Sequence, residues 1–258
     1  MTFCSYLQYT LIIMNNEVQQ KLLLINQHFY HRHAGSFSST RAQAQPGVRK
    51  LIDSIPLNAA ILDVGCGNGT LARALETRNF RGSYFGVDMS AELLENARGS
   101  MQDVDTSQFQ FRQIDLANPD WVDHIPGISY DWLVSFAVLH HLPGAEFRQR
   151  TTTSFAKLIS TKGSVAVSVW QWQNSPRLRS HVLPWNTVGL KAEDVDEGDI
   201  LLDWRAGVTP GVRYVHTFDE TSFTMLGESA GFRVVDSFLS DGKPGNLALY
   251  QIWQLTGK

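Results

Sequence analysis

The sequence predicts an α/β fold: a doubly wound sheet of seven strands, mostly parallel, that ends in an antiparallel hairpin. Short apolar runs of strand length alternate with helical patterns between residues 60 and 170, and a glycine-rich loop follows the first run. Such alternation is typical of a parallel sheet, because the connection between two parallel strands crosses one face of the sheet, usually as a helix. The 258 residues, 43% hydrophobic and 18% charged, suit one globular domain.

Two helices are predicted before the sheet. Residues 17–30 carry apolar side chains at helical spacing, and residues 31–39 are expected to form a loop. A second helix over residues 45–55 has Pro46 in its first turn, where the missing N–H costs no hydrogen bond. Residues 1–13 are predicted to be a non-native or disordered extension, because their apolar run is too short for a membrane span and lacks the basic start of a signal peptide.

The alternating pattern that follows predicts a Rossmann-like sheet. Its five central strands are expected at residues 60–64, 83–87, 109–114, 132–137 and 164–170. Helices are expected between them at residues 71–77, 91–98, where Ser90 is the N-cap, and 145–159. Residues 171–216 give no strong strand signal and are predicted to form a substrate lid. The sheet is completed by a helix and an antiparallel hairpin, at residues 220–230, 232–238 and 247–255.

Composition excludes several classes of function. The formal net charge is −3, so no general attraction to polyanions such as nucleic acids is expected. The two cysteines, Cys4 and Cys66, are too few for a disulfide framework or for a zinc site made of thiolates. We therefore expect a cytoplasmic protein that holds no metal and does not contact a membrane.

Three alternating glycines, Gly65, Gly67 and Gly69, form the loop after the first strand, in the string ILDVGCGNGT. A dinucleotide site favours the spacing G-x-G-x-x-G and holds a pyrophosphate at the helix N-terminus. Here Asp63 precedes the loop and would repel a pyrophosphate, whereas it suits the ammonium group of an amino-acid-like cofactor. A turn without a ligand would not need three glycines and an acid.

Two further acids follow strands of the same sheet. Asp88 ends the second strand, where doubly wound folds place a carboxylate that accepts hydrogen bonds from both ribose hydroxyls. Asp115 follows the third strand and could accept an adenine amino group, with Leu116 packed on the ring. Structural roles are the alternatives, because Asp88 beside Ser90 also suits a helix N-terminus and acids after strands are common.

Four successive segments, LDVGCGNG, GVDMS, QIDLA and DWLVSFAVLHHL, resemble the motifs of class I S-adenosylmethionine-dependent methyltransferases. A narrower resemblance is to the tRNA wobble-uridine carboxymethyl methyltransferases, which animals fuse to an AlkB-type hydroxylase. It rests on the strings FY and FSSTR within residues 29–41, and on residues 137–141, 169–170 and 213–216. The resemblance implies S-adenosyl-L-methionine as cofactor and a tRNA or small-molecule acceptor. It also raises a small zinc-ribbon activator protein as a partner, which the sequence leaves open.

The residues expected to bind this cofactor lie in the glycine loop and at the ends of the next three strands. They are Asp63, Gly65, Cys66, Gly67, Asn68, Gly69, Asp88, Met89, Asp115, Leu116, Phe136 and Ala137. The last two are expected to pack beside the methionine arm of the cofactor rather than to take part in the chemistry.

The acceptor is expected near His141, which follows the fourth strand and could act as a base or bond an acceptor oxygen. If the acceptor is a carboxylate, as the resemblance implies, Arg213 or Arg41 would orient it with a bidentate fork, and His216 with Tyr214 would complete the site. Structural roles are the alternatives. His140 and His141 could be a pair that caps the next turn. Arg41 and Arg213 could be solvated at the surface or form salt bridges with the acids of residues 193–203.

Basic residues are concentrated in two segments without acids. Residues 147–192 contain Arg148, Arg150, Lys157, Lys162, Arg177, Arg179 and Lys191, and residues 28–50 contain Arg32, Arg41, Arg49 and Lys50. Such segments suit an RNA phosphate backbone, although the acids that follow residue 192 could neutralise them internally. The alternatives to a tRNA methyltransferase are therefore a small-molecule O- or N-methyltransferase and a non-catalytic cofactor-binding subunit. A NAD-dependent oxidoreductase is opposed by the glycine spacing and by Asp63.

Overall fold

A computed structural model describes residues 14–40, 43–102, 107–127, 129–205 and 210–257, without the side chains of residues 36–40. Seven α-helices lie in this part of the chain: α1 (Asn16–Thr40), α2 (Pro46–Ile52), α3 (Thr70–Glu76), α4 (Ala91–Gly99), α5 (Ala145–Leu158), α6 (Pro176–Arg179) and α7 (Glu220–Ser229). Its ten strands are β1 (Ala60–Val64), β2 (Ser83–Asp88), β3 (Phe109–Gln113), β4 (Tyr130–Phe136), β5 (Ile159–Trp170), β6 (Val182–Leu183), β7 (Asp199–Trp204), β8 (Gly211–His216), β9 (Phe232–Ser240) and β10 (Ala248–Leu255).

Seven strands form the main sheet, in the order β3-β2-β1-β4-β5-β10-β9. The first five are parallel, and β10 pairs antiparallel with both β5 and β9. The predicted α/β fold with its C-terminal hairpin is therefore confirmed. Because the strand order reverses between β1 and β4, the loops after these two strands open a crevice at the carboxyl edge of the sheet.

Helices cover both faces of this sheet. Alternate side chains of β1 point to opposite faces, so Leu62 packs in one buried cluster with Phe155 of α5, while Ile61 packs in a second with Leu51 of α2. The two clusters hold the strand ends rigidly, which fixes the starting points of the loops that follow them.

The strands β6, β7 and β8 form a second sheet that the sequence pattern did not predict. The strands β6, β7 and β8 are antiparallel, in the order β6-β7-β8. The strand β6 has only two residues, and the two buried leucines of β7, Leu201 and Leu202, are adjacent rather than alternating. A period of two residues, which is the usual sign of a half-buried strand, is therefore missing.

The first helix is longer than predicted, because α1 continues through residues 31–39 to Thr40. No proline interrupts residues 31–39, and tertiary packing at His33 holds the first turn of this extension. The rings of Phe29 and His33, one helical turn apart, lie 4.9 Å apart between centroids. Both pack on Gly211, where an added Cβ would lie 2.7 Å from His33 and 2.9 Å from Phe29. The predicted extension at residues 1–13 lies outside the described residues.

The buried side chain of Asn26 joins α1 to two other elements. Its Nδ2 donates to the backbone oxygens of His141, at 3.2 Å, and of Tyr214, at 3.1 Å. Its Oδ1 accepts from the backbone N–H of Tyr214 at 2.8 Å. These bonds connect α1 with β8 and with the turn after β4. In the described part of the chain, no helix has both the length and the apolar character that a membrane crossing requires.

Replacing Gly47 with alanine tests the docking of α2 on β10. An added Cβ would lie 2.3 Å from the Tyr250 ring, and that ring cannot easily move, because its hydroxyl donates to Asp241 at 2.7 Å. We expect Gly47→Ala to lower the free energy of unfolding by about 1–3 kcal/mol through overpacking. Gly35→Ala is the matched control, since nothing lies within 4 Å of its Cβ position. It should raise stability by roughly 0.5–1 kcal/mol in urea unfolding. Equal effects of the two substitutions would contradict this packing.

Candidate active site

A cleft lies at the carboxyl edge of the main sheet, where the strand order reverses. It contains about 1340 Å³ of empty space, including its open mouth. Eleven of the twelve residues predicted to bind the cofactor line it, and the exception is Gly69, which precedes α3. The fold therefore brings the glycine loop, the strand-end acids and the end of β4 to one place, while their role in binding stays a prediction.

The glycine loop is bound to the end of β2. The backbone N–H groups of Gly65 and Cys66 both donate to the Val87 oxygen, at 2.7 and 3.0 Å. Gly65 has a φ of 82°, and an added Cβ would lie 2.2 Å from a methyl carbon of Val138. Position 65 therefore excludes any side chain, both by its backbone conformation and by the close approach of the turn after β4.

Asp63 is a buried acid of the cleft, and Asp88 is a half-buried one. Burial raises the pKa of Asp63 to about 7, although the Tyr84 hydroxyl donates to its carboxylate at 2.6 Å. Burial also raises the pKa of Asp88. The two oxygens of Asp88 accept from the backbone N–H groups of Gly67 and Ser90, each at 2.9 Å. These bonds fix the carboxylate and leave each oxygen with further acceptor capacity.

This set of side chains fits a cationic cofactor. Asp63, Asp88 and Asp115 line the cleft, whereas no lysine or arginine of the described ranges does so. An ammonium group would stabilise the ionised form of the buried Asp63 carboxyl group. The fixed carboxylate of Asp88 could accept hydrogen bonds from two ribose hydroxyls. A pyrophosphate would meet three acids and no cation, which argues against a dinucleotide.

The turn after β4 is strained where it enters the cleft. Ala137 has a φ of 58°, which is rare for a residue with a side chain. Its N–H donates to the backbone oxygen and to the hydroxyl of Ser168, at 3.0 and 3.1 Å. Bonds to the neighbouring strand β5 therefore hold a conformation that directs residues 138–142 towards the cofactor loop.

The two histidines of this turn differ in position. His140 is fully buried, and its Nδ1 lies 3.3 Å from the backbone nitrogen of Trp170. His141 lines the cleft, with Nδ1 at 3.0 Å from the Tyr214 oxygen and Nε2 at 2.8 Å from the Tyr30 hydroxyl. Of the pair, only His141 therefore lines the cleft, and its role at the acceptor stays a prediction.

Arg213 lies behind this end of the cleft rather than in its lining. It is buried, and its guanidinium carbon stands 4.7 Å from the ring centroids of Phe29 and Trp170 and 4.8 Å from that of Trp204. Trp170 lines the cleft. The guanidinium is thus fixed among three aromatic faces, one ring away from the open space.

The other predicted acceptor residues lie elsewhere. The hydroxyl of Tyr214 and Nδ1 of His216 both bond Oδ1 of Asp199, at 2.8 and 2.7 Å, and neither side chain lines the cleft. Arg41 lies outside the described residues. The role of His216, Tyr214 and Arg41 at the acceptor stays a prediction.

The predicted basic segment of residues 147–192 is only partly at the surface. Arg148 is buried and pairs with Asp196 at 3.0 Å, so it does not add to a phosphate-binding surface. The charge of Arg148 is therefore neutralised by one of the acids that follow residue 192, which is the alternative that the sequence left open. Arg177 and Lys191 remain exposed. Within the described ranges, no cluster of three or more histidine, cysteine or acidic side chains is placed to hold a metal.

Sequence reasoning missed Tyr30 and Asn26, both of which line the cleft from α1. The signal was present, since the two residues are one helical turn apart on the side of α1 that also carries buried Leu22 and Phe29. A polar residue on an apolar helix face indicates a buried hydrogen-bonding partner.

Residues 36–237 match a protein family described as a methyltransferase domain. This chain belongs to that family. It is an S-adenosylmethionine-dependent methyltransferase, and the acids and glycines of the cleft fit that cofactor. Against the tRNA (carboxymethyluridine(34)-5-O)-methyltransferase of Arabidopsis thaliana, the methyltransferase is 30% identical over 141 residues, which are 55% of this chain and 31% of the relative. The chain therefore spans less than a third of that relative's length.

Two further proteins show how far the similarity extends. The enzyme of the same name from Schizosaccharomyces pombe is 25% identical over 221 residues, which cover 80% of this chain and 88% of the relative. The crystal structure of an S-adenosylmethionine-dependent methyltransferase from Clostridium acetobutylicum has a TM-score of 0.61 at 12% identity and covers 90% of this chain and 99% of its own. At that identity the structural likeness supports the fold alone.

Removing the Asp88 carboxylate tests the ribose contact. Charge-assisted hydrogen bonds contribute about 1.5–3 kcal/mol, so Asp88→Ala should weaken S-adenosylhomocysteine binding by about tenfold or more in calorimetry. Asp123→Ala is the control, since Asp123 is exposed and lies outside the cleft lining. Wild-type affinity in Asp88→Ala would refute the assignment.

The raised pKa of Asp63 predicts a pH-dependent affinity for the cofactor. Below its pKa of about 7 the carboxyl group becomes neutral and loses its attraction for an ammonium group. The dissociation constant should therefore rise as the pH falls below 7, by up to about tenfold per pH unit. Calorimetry between pH 5.5 and 7.5 measures this slope. Asp63→Asn should bind weakly throughout and lack the slope, and a retained slope in that variant would assign it to another group.

Proposed function

We propose that the methyltransferase transfers a methyl group to the carboxymethyl group of a modified wobble uridine in tRNA, or to a similar carboxylate. The supporting observation is the uneven charge of the cleft. Asp63, Asp88 and Asp115 line its cofactor end, whereas the guanidinium of Arg213 is fixed behind Trp170 at the other end. The names of the Arabidopsis and yeast relatives give the same acceptor chemistry.

A carboxylate acceptor fits the small amount of acid–base machinery in the cleft. It is ionised at neutral pH, so it needs no base to become a nucleophile. The chain then has to align the carboxylate oxygen with the methyl carbon, exclude water and balance the acceptor's charge. S-adenosylmethionine, when bound, supplies an electrophilic methyl group on a sulfonium.

The position of residues 171–216 supports the proposal that this segment forms a lid over the acceptor site. It begins directly after Trp170, and its last strand carries Arg213. Its core packs on α1 through Leu22, Leu201 and Tyr214. We infer that this segment walls the acceptor site and that its contact with α1 sets the width of the opening.

Transfer of label from tritiated S-adenosylmethionine tests the proposal. The chain is incubated with total tRNA and, separately, with a small-molecule extract. We expect label in tRNA that mild alkali releases as methanol, because a methyl ester is hydrolysed whereas an N- or C-methyl group is not. Label only in the small-molecule fraction would favour a metabolite acceptor. Cofactor binding without label in either would indicate a non-catalytic subunit.

Substitutions of two kinds of arginine should separate acceptor chemistry from RNA binding. Arg213→Met removes the charge and keeps a long side chain among the three rings, so kcat should fall by about tenfold or more while cofactor affinity is unchanged. Replacing Arg177 and Arg179 by glutamate should instead weaken tRNA binding and reduce its salt dependence. Arg213→Lys, which keeps the charge, should retain part of the activity. An unchanged kcat in a folded Arg213→Met protein would contradict this role.

A further inference from the structure

We propose that the hydroxyl of Tyr30, rather than the ring of His141, contacts the methyl acceptor, and that His141 is a positioning residue that acts through Tyr30. The inference rests on the proposed function only for the acceptor's chemistry. The arrangement of the two side chains stands on its own geometry.

Both ring nitrogens of His141 are engaged within the protein. Nδ1 lies 3.0 Å from the backbone oxygen of Tyr214, and a carbonyl oxygen can only accept, so Nδ1 carries a proton. Nε2 lies 2.8 Å from the hydroxyl oxygen of Tyr30. An acceptor could therefore reach a nitrogen of His141 only by displacing one of these partners.

Tyr30 is held in place on several sides. Its ring makes an edge-to-face contact with the His141 ring, with centroids 5.6 Å apart and planes at 78°. It makes a second edge-to-face contact with the Phe29 ring, with centroids 5.2 Å apart and planes at 86°. His141 is held in turn by Trp170, at 5.6 Å and 75°. Tyr30 is half-buried and lines the cleft. Its hydroxyl is thus a rigidly placed polar group beside the open space.

The protonation of His141 decides what Tyr30 offers to an acceptor. When the ring is neutral, Nε2 accepts the Tyr30 proton, and the phenol oxygen then presents only lone pairs. When Nε2 is protonated, it donates to Tyr30, and the phenol proton becomes the donor. A carboxylate accepts hydrogen bonds and cannot donate them, so it selects the second state, in which His141 is a cation. An amine or hydroxyl acceptor would select the first.

The charged and titratable groups around the pair come from four elements. His140 precedes His141 in the same turn, with ring centroids 4.3 Å apart. Arg213 of β8 lies behind Trp170, and Arg148 of α5 lies 3.4 Å from the Tyr214 hydroxyl. Asp199 of β7 accepts from that hydroxyl. Arg148 is paired with Asp196 at 3.0 Å, so Arg213 is the cation that opposes a positive charge on His141 in the free protein. A bound carboxylate favours that charge, so binding of the acceptor and of a proton should be coupled.

Tyr30→Phe tests the inference, because it keeps the ring and removes the hydroxyl. We expect kcat/KM for a carboxylate acceptor to fall by about tenfold or more, with unchanged cofactor affinity and melting temperature. In the wild type, kcat/KM should also decrease as the pH rises through one group, and Tyr30→Phe should flatten this dependence. Tyr130→Phe is the matched control, since Tyr130 is fully buried at the start of β4 and outside the cleft lining.

The outcomes separate this inference from the proposed function. If the wild type transfers no label to tRNA, the tRNA acceptor is refuted. If Tyr30→Phe keeps the wild-type kcat/KM while His141→Gln lowers it, the role of Tyr30 is refuted. A second measurement needs no substrate. In ¹⁵N-histidine NMR, the signal lost in His141→Gln should show a proton on Nδ1 in the free protein. Tyr30→Phe should shift its Nε2 resonance, and an unshifted Nε2 would overturn the inference.

Discussion

Three hydrogen bonds of the Asn26 side chain hold together the end of the cleft at which we propose that the acceptor binds. They fix α1 to the backbone of His141, in the turn after β4, and of Tyr214, in the second sheet. A buried amide that lost these partners would carry a desolvation penalty of about 1–3 kcal/mol. Because α1 is anchored there, Tyr30 reaches His141 one helical turn later, and Phe29 closes the aromatic contacts of Arg213.

The two ends of the cleft are built in different ways. The cofactor end consists of short loops that follow adjacent parallel strands. There Asp88 is fixed by the backbone N–H groups of Gly67 and Ser90, and Asp63 by the Tyr84 hydroxyl. The acceptor end is assembled from α1, the turn after β4 and the second sheet, which are far apart in sequence. Substitutions that loosen α1 should therefore affect the acceptor more than the cofactor, which gives a physical reason why acceptor choice can vary on a constant cofactor site.

The same difference explains how much the sequence could predict. The glycine loop, Asp63, Asp88 and Asp115 follow from local patterns, because each stands at a strand end that periodicity locates. The position of Tyr30, the enclosure of Arg213 by three rings and the burial of Arg148 depend on contacts between distant segments, which periodicity does not encode. The extension of α1 past residue 30 and the second sheet were missed because tertiary packing, rather than local propensity, forms them.

We propose that the cleft orients the cofactor from an acidic end towards Tyr30 and Trp170. A crystal structure of the chain with S-adenosylhomocysteine would show this orientation. We expect the amino group at Asp63, the ribose at Asp88, the adenine at Asp115 and Leu116, and a sulfur that faces Tyr30 and Trp170. A cofactor whose sulfur faces away from Tyr30, or whose adenine occupies the space beside Trp170, would contradict it.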